Sequence, residues 1–319
     1  MEVKALFNFD YIKHKNIFFA ISIILIVIGI VFYFINGLNF DVQFSGGTRI
    51  LIETNSEIDI NKAGDLVEAA LGKSVITQML QTYNPENASQ KIYMLRLDIA
   101  GEEALNEHER NLVNDIIAEN FDVKENGNQE VLSVEPSIGR ETMTDGLKAT
   151  LIASVLIVLY VTWRFSAMSG FSAAITALVA LLHDVLIVFA LYTVFQLPIN
   201  EVFISAALTI LGYSINDTIV IYDRIRENSK LMKKHTLEEI VNASINQSLT
   251  RTLNTAVTTL LTITTLYVFA AANNITSLME FSLPLIIGFI AGIYSTIFIA
   301  SPLWLMWRNA SMKKTLKKA

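Results

Sequence analysis

Residues 211–228 read LGYSINDTIVIYDRIREN. The run opens as an apolar membrane segment, carries Asn216 and Asp217 inside it, and closes on the charged sequence Asp223-Arg224-Ile225-Arg226-Glu227. A carboxylate in hydrocarbon is costly and normally faces a partner or a water-filled path. The first arginine placed to answer it from inside a helix is Arg251, near the start of the next apolar span. The rest of the chain reads as a frame that holds this pair and couples it to something outside the membrane.

Around that stretch the composition is that of a membrane protein: 52% hydrophobic residues over 319 positions and a mean hydropathy of +0.46, outside the range of ordinary soluble domains. A span needs roughly 20 apolar residues. Six segments qualify, near 17–35, 147–164, 170–195, 199–222, 254–273 and 281–307. Lysine and arginine in the short flanks set the orientation. They gather before span one (Lys4, Lys13, Lys15), between two and three (Arg164), after four (Arg224, Arg226, Lys230, Lys233, Lys234), and in the 308–319 tail (Arg308, Lys313, Lys314, Lys317, Lys318). Loops 196–200 and 273–280 carry no basic residue. Both termini are therefore expected in the cytoplasm. Span one has a basic lead but no small-residue cleavage pattern after it, so it reads as an uncleaved anchor.

The net charge of −6 is partitioned: residues 36–146 hold 20 acidic and 8 basic residues, hence −12, and the remainder is +6. An acidic exposed part and a basic cytoplasmic fringe argue against nucleic acid as a partner. No cysteine is present, which excludes disulfides and thiol chemistry.

Residues 1–16 form a short basic arm in which Phe7, Phe9 and Tyr11 are suited to the interface. Residues 36–146 read as one compact extracytoplasmic domain. Thr48–Glu53 alternates as a strand, and Asp59–Leu71 has helical periodicity with Asp59 or Asn61 as cap. Val75–Thr82 is a strand, 83–87 a turn, Lys91–Asp98 a strand, Glu102–Asn120 a helix and Glu130–Ile138 a last strand. The order βαββαβ is that of a ferredoxin-like α+β domain. Gly46 and Gly47 mark a close approach or positive φ. Val134–Arg140, with Pro136 and Gly139, reads as a hinge or a turn.

Within the spans, His183 and Asp184 sit near mid-depth, for helix packing or for proton carriage. Ser205, Thr209, Gly212 or Tyr213, and Asn216 or Asp217 lay a small and polar stripe on span four. Arg251, Thr255, Thr258, Thr262 and Thr265 repeat the spacing on span five, and facing stripes would permit close packing and interhelical hydrogen bonds. Gly288-Phe289-Ile290-Ala291-Gly292 is a GxxxG match in span six. The connection at about 223–253 reads as an amphipathic stretch at the interface, with a capping box at Thr236 and Glu239. Asp217 and Arg251 can form a proton-responsive pair or a static salt bridge. Burial favours the neutral acid, the guanidinium favours the carboxylate, and arginine itself stays charged.

Several segments together resemble the SecD/SecF family of the resistance-nodulation-division superfamily: Phe44-Ser45-Gly46-Gly47-Thr48, Val134-Glu135-Pro136-Ser137-Ile138-Gly139, His183-Asp184-Val185, Gly212–Thr218 with Asp223–Asn228, and Gln247–Thr255. The resemblance is to the SecF side and covers nearly the whole chain. It implies a polytopic α-helical protein of six transmembrane helices, with the ferredoxin-like domain between helices one and two, in a prokaryotic plasma membrane. It implies a non-enzymatic part in late, ATP-independent protein export, driven by the proton gradient or by sodium and without cofactor or metal. The implied partners are SecD, the SecYEG channel, YajC, the unfolded exported polypeptide and membrane lipid. It places Asp217 and Arg251 on the proton path, and the polar residues read from the spans add Asn216, Asp184, His183 and Thr255 as secondary candidates. The family's first motif usually has Asp where this chain has Gln43, with Asp41 two residues earlier. Two other readings are an ion-driven exporter of lipids or hydrophobic small molecules, and a non-transporting assembly factor. No nucleophile–base constellation, metal-ligand cluster or phosphate-binding loop points to an enzyme.

Overall fold

The computed structural model describes residues 9–84, 87–101, 103–124, 127, 129–273 and 275–316. Among these residues, six helices or joined helices are long and apolar enough to cross a membrane. Helix α1 (Lys15–Asn36) stops at Gly37, whose φ of 71° breaks the helical path. A single turn, α2 (Val42–Ser45), follows, capped by the Asp41 side chain at the Gln43 amide. Gly46 and Gly47 then take φ of 77° and 132°, and a Cβ on Gly47 would stand 2.2 Å from the Ile99 carbonyl oxygen. The paired glycines are therefore needed to turn the chain from α2 into a strand.

That strand is β1 (Gly47–Thr54), followed by α3 (Ile60–Leu71), β2 (Val75–Asn84), β3 (Asn87–Ala100), α4 (Glu107–Asn120) and β4 (Gln129–Val134). The strands form one antiparallel sheet in the order β2-β3-β1-β4. Alternation decides its two faces. Ile50, Ile52, Leu95, Leu97 and Ile99 are buried with Val67, Val113 and Ile117 of α3 and α4. The opposite face carries Arg49, Arg96 and Asp98, and Arg49 stands directly across from Asp98 in register.

Several boundaries differ from the sequence expectation. Strands β2 and β3 extend through Tyr83, Asn84 and Asn87 of the expected turn, and the helices of spans two, five and six begin well before the expected residues, at Pro136, Leu237 and Thr276. Two further differences have a local cause. Helix α4 starts at Glu107 rather than Glu102, because Asn106 and Glu109 form a reciprocal capping box that fixes the first turn. Strand β4 ends at Val134 rather than Ile138, because Pro136 opens helix α5 (Pro136–Arg164) at its first turn, where a missing amide costs nothing. The Val134–Arg140 segment is thus a tight strand-to-helix junction. A Cβ on Gly139 would lie 2.6 Å from the Phe44 carbonyl oxygen, so α5 rests directly on the backbone of α2. Pro85 and Glu86 of the expected turn, Phe7 of the arm and Lys317 and Lys318 of the tail lie outside the described residues.

The remaining bundle comprises α6 (Gly170–Val194), α7 (Glu201–Leu231), α8 (Leu237–Ala272), α9 (Thr276–Ser295) and α10 (Ser301–Leu316), the last two joined by a π-helical turn at Thr296–Ala300. Gly288 and Gly292 let α9 close on α7: added Cβ atoms would stand 2.2 Å from Ile210 Cδ1 and 3.1 Å from Ser214. The 223–253 connection is not a separate element. It is the end of α7 and the start of α8, packed together by Asn228 Nδ2 donating to Ser244 Oγ at 2.9 Å and by Arg224 Nε donating to Gln247 Oε1 at 2.6 Å. The Thr236–Glu239 capping box starts α8 as expected. Tyr11 is not at the surface of the bundle. It is buried in the bundle core, and its amide donates to Asn242 Oδ1.

Candidate functional site

Helix α7 presents two polar faces. On the inner one, Ser214, Thr218 and Tyr222 follow each other at four-residue spacing and each reaches another helix. Ser214 Oγ donates to Asp184 Oδ2 at 2.6 Å. Thr218 pairs with Thr296 at 3.0 Å. The Tyr222 hydroxyl pairs with Thr176 and donates to the Ala300 carbonyl, which the π turn presents. Asp184 is fully buried and also bonded by His183 Nδ1 at 3.0 Å, while His183 Nε2 is buried without a hydrogen-bond partner among the described residues. His183 and Asp184 thus anchor a polar ladder between α6, α7 and α9. Sequence reasoning found that pair but missed Ser214, Thr218, Tyr222 and Thr296. The i, i+4, i+8 repeat on span four was the available signal.

Asp217 lies apart from this ladder. It is buried, and its Oδ2 has no hydrogen-bond partner among the described residues. Arg251, on α8, is near enough for its charge to act on Asp217, yet no ion pair within 4 Å joins the two. Arg251 is exposed at the bundle surface, as is Asn216. Thr255 is half-buried and spends its hydroxyl on the carbonyls of Arg251 and Thr252. The expected pair is therefore neighbouring but not closed.

The two stripes do not face each other. Ser205, Thr209, Gly212 and Asn216 on α7 are exposed, and so are Arg251, Asn254, Thr258, Thr262 and Thr265 on α8. Their hydroxyls bond back to their own helices: Ser205 to the Glu201 carbonyl, Thr209 to Ser205, Thr258 to Asn254, Thr262 to Thr258 and Thr265 to Leu261. The expected interhelical bonds are absent here because an intrahelical acceptor four residues back is always in reach. What remains is an outward membrane face of small and hydroxyl residues with an arginine at one end. Such a face suits another helix and not lipid.

The charged run after Asp217 closes locally. Arg164 and Arg226 both reach Asp223 at 2.8 Å, and Arg224 reaches Glu227 at 2.6 Å.

Residues 114–310 match the family described as "Protein export membrane protein SecD/SecF, C-terminal". The chain is 34% identical over 315 residues to the protein translocase subunit SecF of Alicyclobacillus acidocaldarius, covering 97% of this chain and 96% of that one. It is 31% identical to the protein translocase subunit SecDF of Bacillus subtilis, covering 96% of this chain but 39% of that one. Among solved structures it is similar to SecDF of Thermus thermophilus, a translocon-associated membrane protein, with a TM-score of 0.79, 28% identity, and coverage of 97% of this chain and 40% of the other.

Proposed function

The chain belongs to the SecD/SecF family, on its SecF side, and is a multi-pass prokaryotic membrane protein; from that premise we propose that it couples an ion gradient to late-stage protein export through the SecY channel. The driving ion is the proton. A SecD-type partner completes the membrane half of the machine, both termini are cytoplasmic, and the sheet domain is an external, ferredoxin-like domain. The element order and the sheet order β2-β3-β1-β4 support the last assignment.

The observation that carries the proposal is the unclosed pair. Asp217 has a buried carboxylate oxygen with no hydrogen-bond partner among the described residues, and Arg251 stands on the exposed polar face of α8. A static salt bridge would be closed within one chain. A relay needs a carboxylate that can exchange its proton and a fixed positive charge that tips the balance when hydration changes. The polar outward stripe also suits a SecD-type partner helix, since the SecDF relatives are about two and a half times as long as this chain.

The test is completion of protein export in membrane vesicles holding this protein, a SecD-type subunit and the SecY channel, with and without an imposed proton gradient. Wild type is expected to gain from the gradient, and Asp217→Asn and Arg251→Met to lose that gain at equal assembly. Variants that respond like wild type would make the pair architectural and overturn the relay. A wild type that responds only to sodium would overturn the choice of ion.

A further inference from the structure

Arginines are neutralised in two different ways in this chain. In the sheet domain Asp41, Arg49, Asp98 and Arg96 form a closed ring. Arg49 donates to Asp41 at 2.5 Å and to Asp98 at 2.6 Å, and Arg96 donates to Asp98 at 2.8 Å and to Asp41 at 2.7 Å. Two carboxylates balance two guanidiniums, and Arg96 also faces Glu280 of α9 across 3.5 Å. The Asp41 and Arg96 side chains are 1% and 7% exposed. Such a ring has no charge to offer a ligand.

The cluster at the ends of α5 and α7 has the opposite character. Asp223 alone serves Arg164 and Arg226, each at 2.8 Å, and the three side chains are 30–34% exposed. Arg224 is already matched by Glu227. Lys230, one turn beyond Arg226 on the same face of α7, is exposed. Three cations against one carboxylate leave a charge of +2. Both guanidiniums lie against the buried Phe165 ring, 5.5 and 5.8 Å from its centroid, which holds them side by side. A guanidinium has five donors, and among the described residues Arg164 donates only through Nη2, to Asp223.

The place of this cluster points to what it faces. Arg164 is the last residue of α5, a helix apolar enough to cross a membrane. Tyr160, Trp163 and Arg164 share a face at i, i+3 and i+4. The Tyr160 and Trp163 rings are exposed and lie 6.4 Å apart. Exposed tyrosine and tryptophan at the end of a span sit at headgroup level. Basic pockets between spanning helices at that level bind anionic headgroups.

We propose that Arg164, Arg226 and Lys230 bind the phosphodiester of an anionic phospholipid, with Tyr160 and Trp163 against its glycerol and upper acyl chains. The guanidinium fork matches phosphate oxygens, and Asp223 and Phe165 hold the two forks in place beforehand. The aromatic shelf selects a lipid over free phosphate. The site goes beyond the export reading and requires neither a partner subunit nor a gradient.

The test uses the full chain, reconstituted alone in phosphatidylcholine vesicles containing phosphatidylglycerol. One of the two lipids carries brominated acyl chains, which quench nearby tryptophan. Of the three tryptophans, Trp304 is buried, and a Trp307→Phe background leaves Trp163 as the exposed reporter. Brominated phosphatidylglycerol should quench at a lower fraction than brominated phosphatidylcholine. Arg164→Gln and Arg226→Gln should each lower that preference about fivefold. Should an arginine variant fail to fold, Lys230→Gln, a surface change, carries the same expectation. Arg226→Lys keeps the charge without the fork and should also lose preference; full retention would overturn a built site in favour of diffuse attraction. Release of the lipid by inorganic phosphate would overturn the choice of a lipid. No preference in wild type, or none lost in the folded variants, would make the cluster a brace between α5 and α7. Asp217→Asn should leave the preference unchanged, so failure of the relay and failure of the lipid site are read separately.

Discussion

At Asp41 a single carboxylate closes a four-membered charge ring that the chain assembles from α2, β1 and β3. Burial alone would lower the pKa of Arg49, but the hydrogen bond and charge of Asp98, with those of Asp41, more than offset it and raise it. The guanidinium is therefore charged at every working pH, and the ring depends on its carboxylates. Removing one partner from a buried ion network leaves a desolvated charge uncompensated. Asp41→Asn should lower the stability of the sheet domain by about 3–5 kcal/mol, measured as lost amide protection in β1 and β3 by hydrogen exchange. Adding Gln43→Asp should not restore it, since Gln43 Oε1 is buried with no hydrogen-bond partner among the described residues and takes no part in the ring. The sequence showed Gln43 where the family pattern has Asp, with Asp41 two residues earlier. It did not show which carboxylate matters, because Asp41 reaches the guanidiniums from a helix cap and not along a strand face.

Among the elements, α2 is a single turn and the one against which α5 is set. A methyl at Gly139 would meet the Phe44 and Gln43 carbonyl oxygens at 2.6 and 2.7 Å. Both are backbone atoms that cannot rotate away. Gly139→Ala should cost about 1–3 kcal/mol, as overpacking does, and exchange should quicken across α2 and the first turns of α5. Unchanged protection there would mean that the junction is not a seat for α5. Element existence was largely legible, since period-two and period-3.6 patterns survive in β1, α3 and the six spans. Boundaries set by local chemistry were less so. Asn106 delays α4 because its cap outcompetes the acidic residues before it, and Pro136 ends a strand pattern that Ile138 would otherwise extend. The charge ring was hidden for another reason. Arg49, Arg96 and Asp98 alternate with apolar residues as any solvent-facing strand positions would, and only the fold brings Glu280 beneath them.

Across the whole molecule the unsolved face is that of α7 and α8. Periodicity places polar residues on one side of a helix, but it cannot say whether that side meets a helix of the same chain or of another. Here the stripes were expected to pack together, and instead both point outward. Gly212 is the sharpest probe. A Cβ there would meet nothing within 4 Å, so the chain's own folding places no demand on its size. Small residues in membrane helices earn their place by letting a neighbouring backbone approach, and in this chain no such neighbour stands over Gly212. Gly212→Leu should therefore leave the thermal unfolding of the isolated protein within about 0.5 kcal/mol of wild type, as a surface change does. Co-purification with a SecD-type subunit should fall sharply, because the added side chain fills the space that a facing helix needs. The same substitution at Gly288, buried against Ile210, should instead disrupt the chain itself and serve as the contrast. If Gly212→Leu retains wild-type association, the face of α7 around Gly212 is turned to lipid, and the second half of the machine must dock elsewhere.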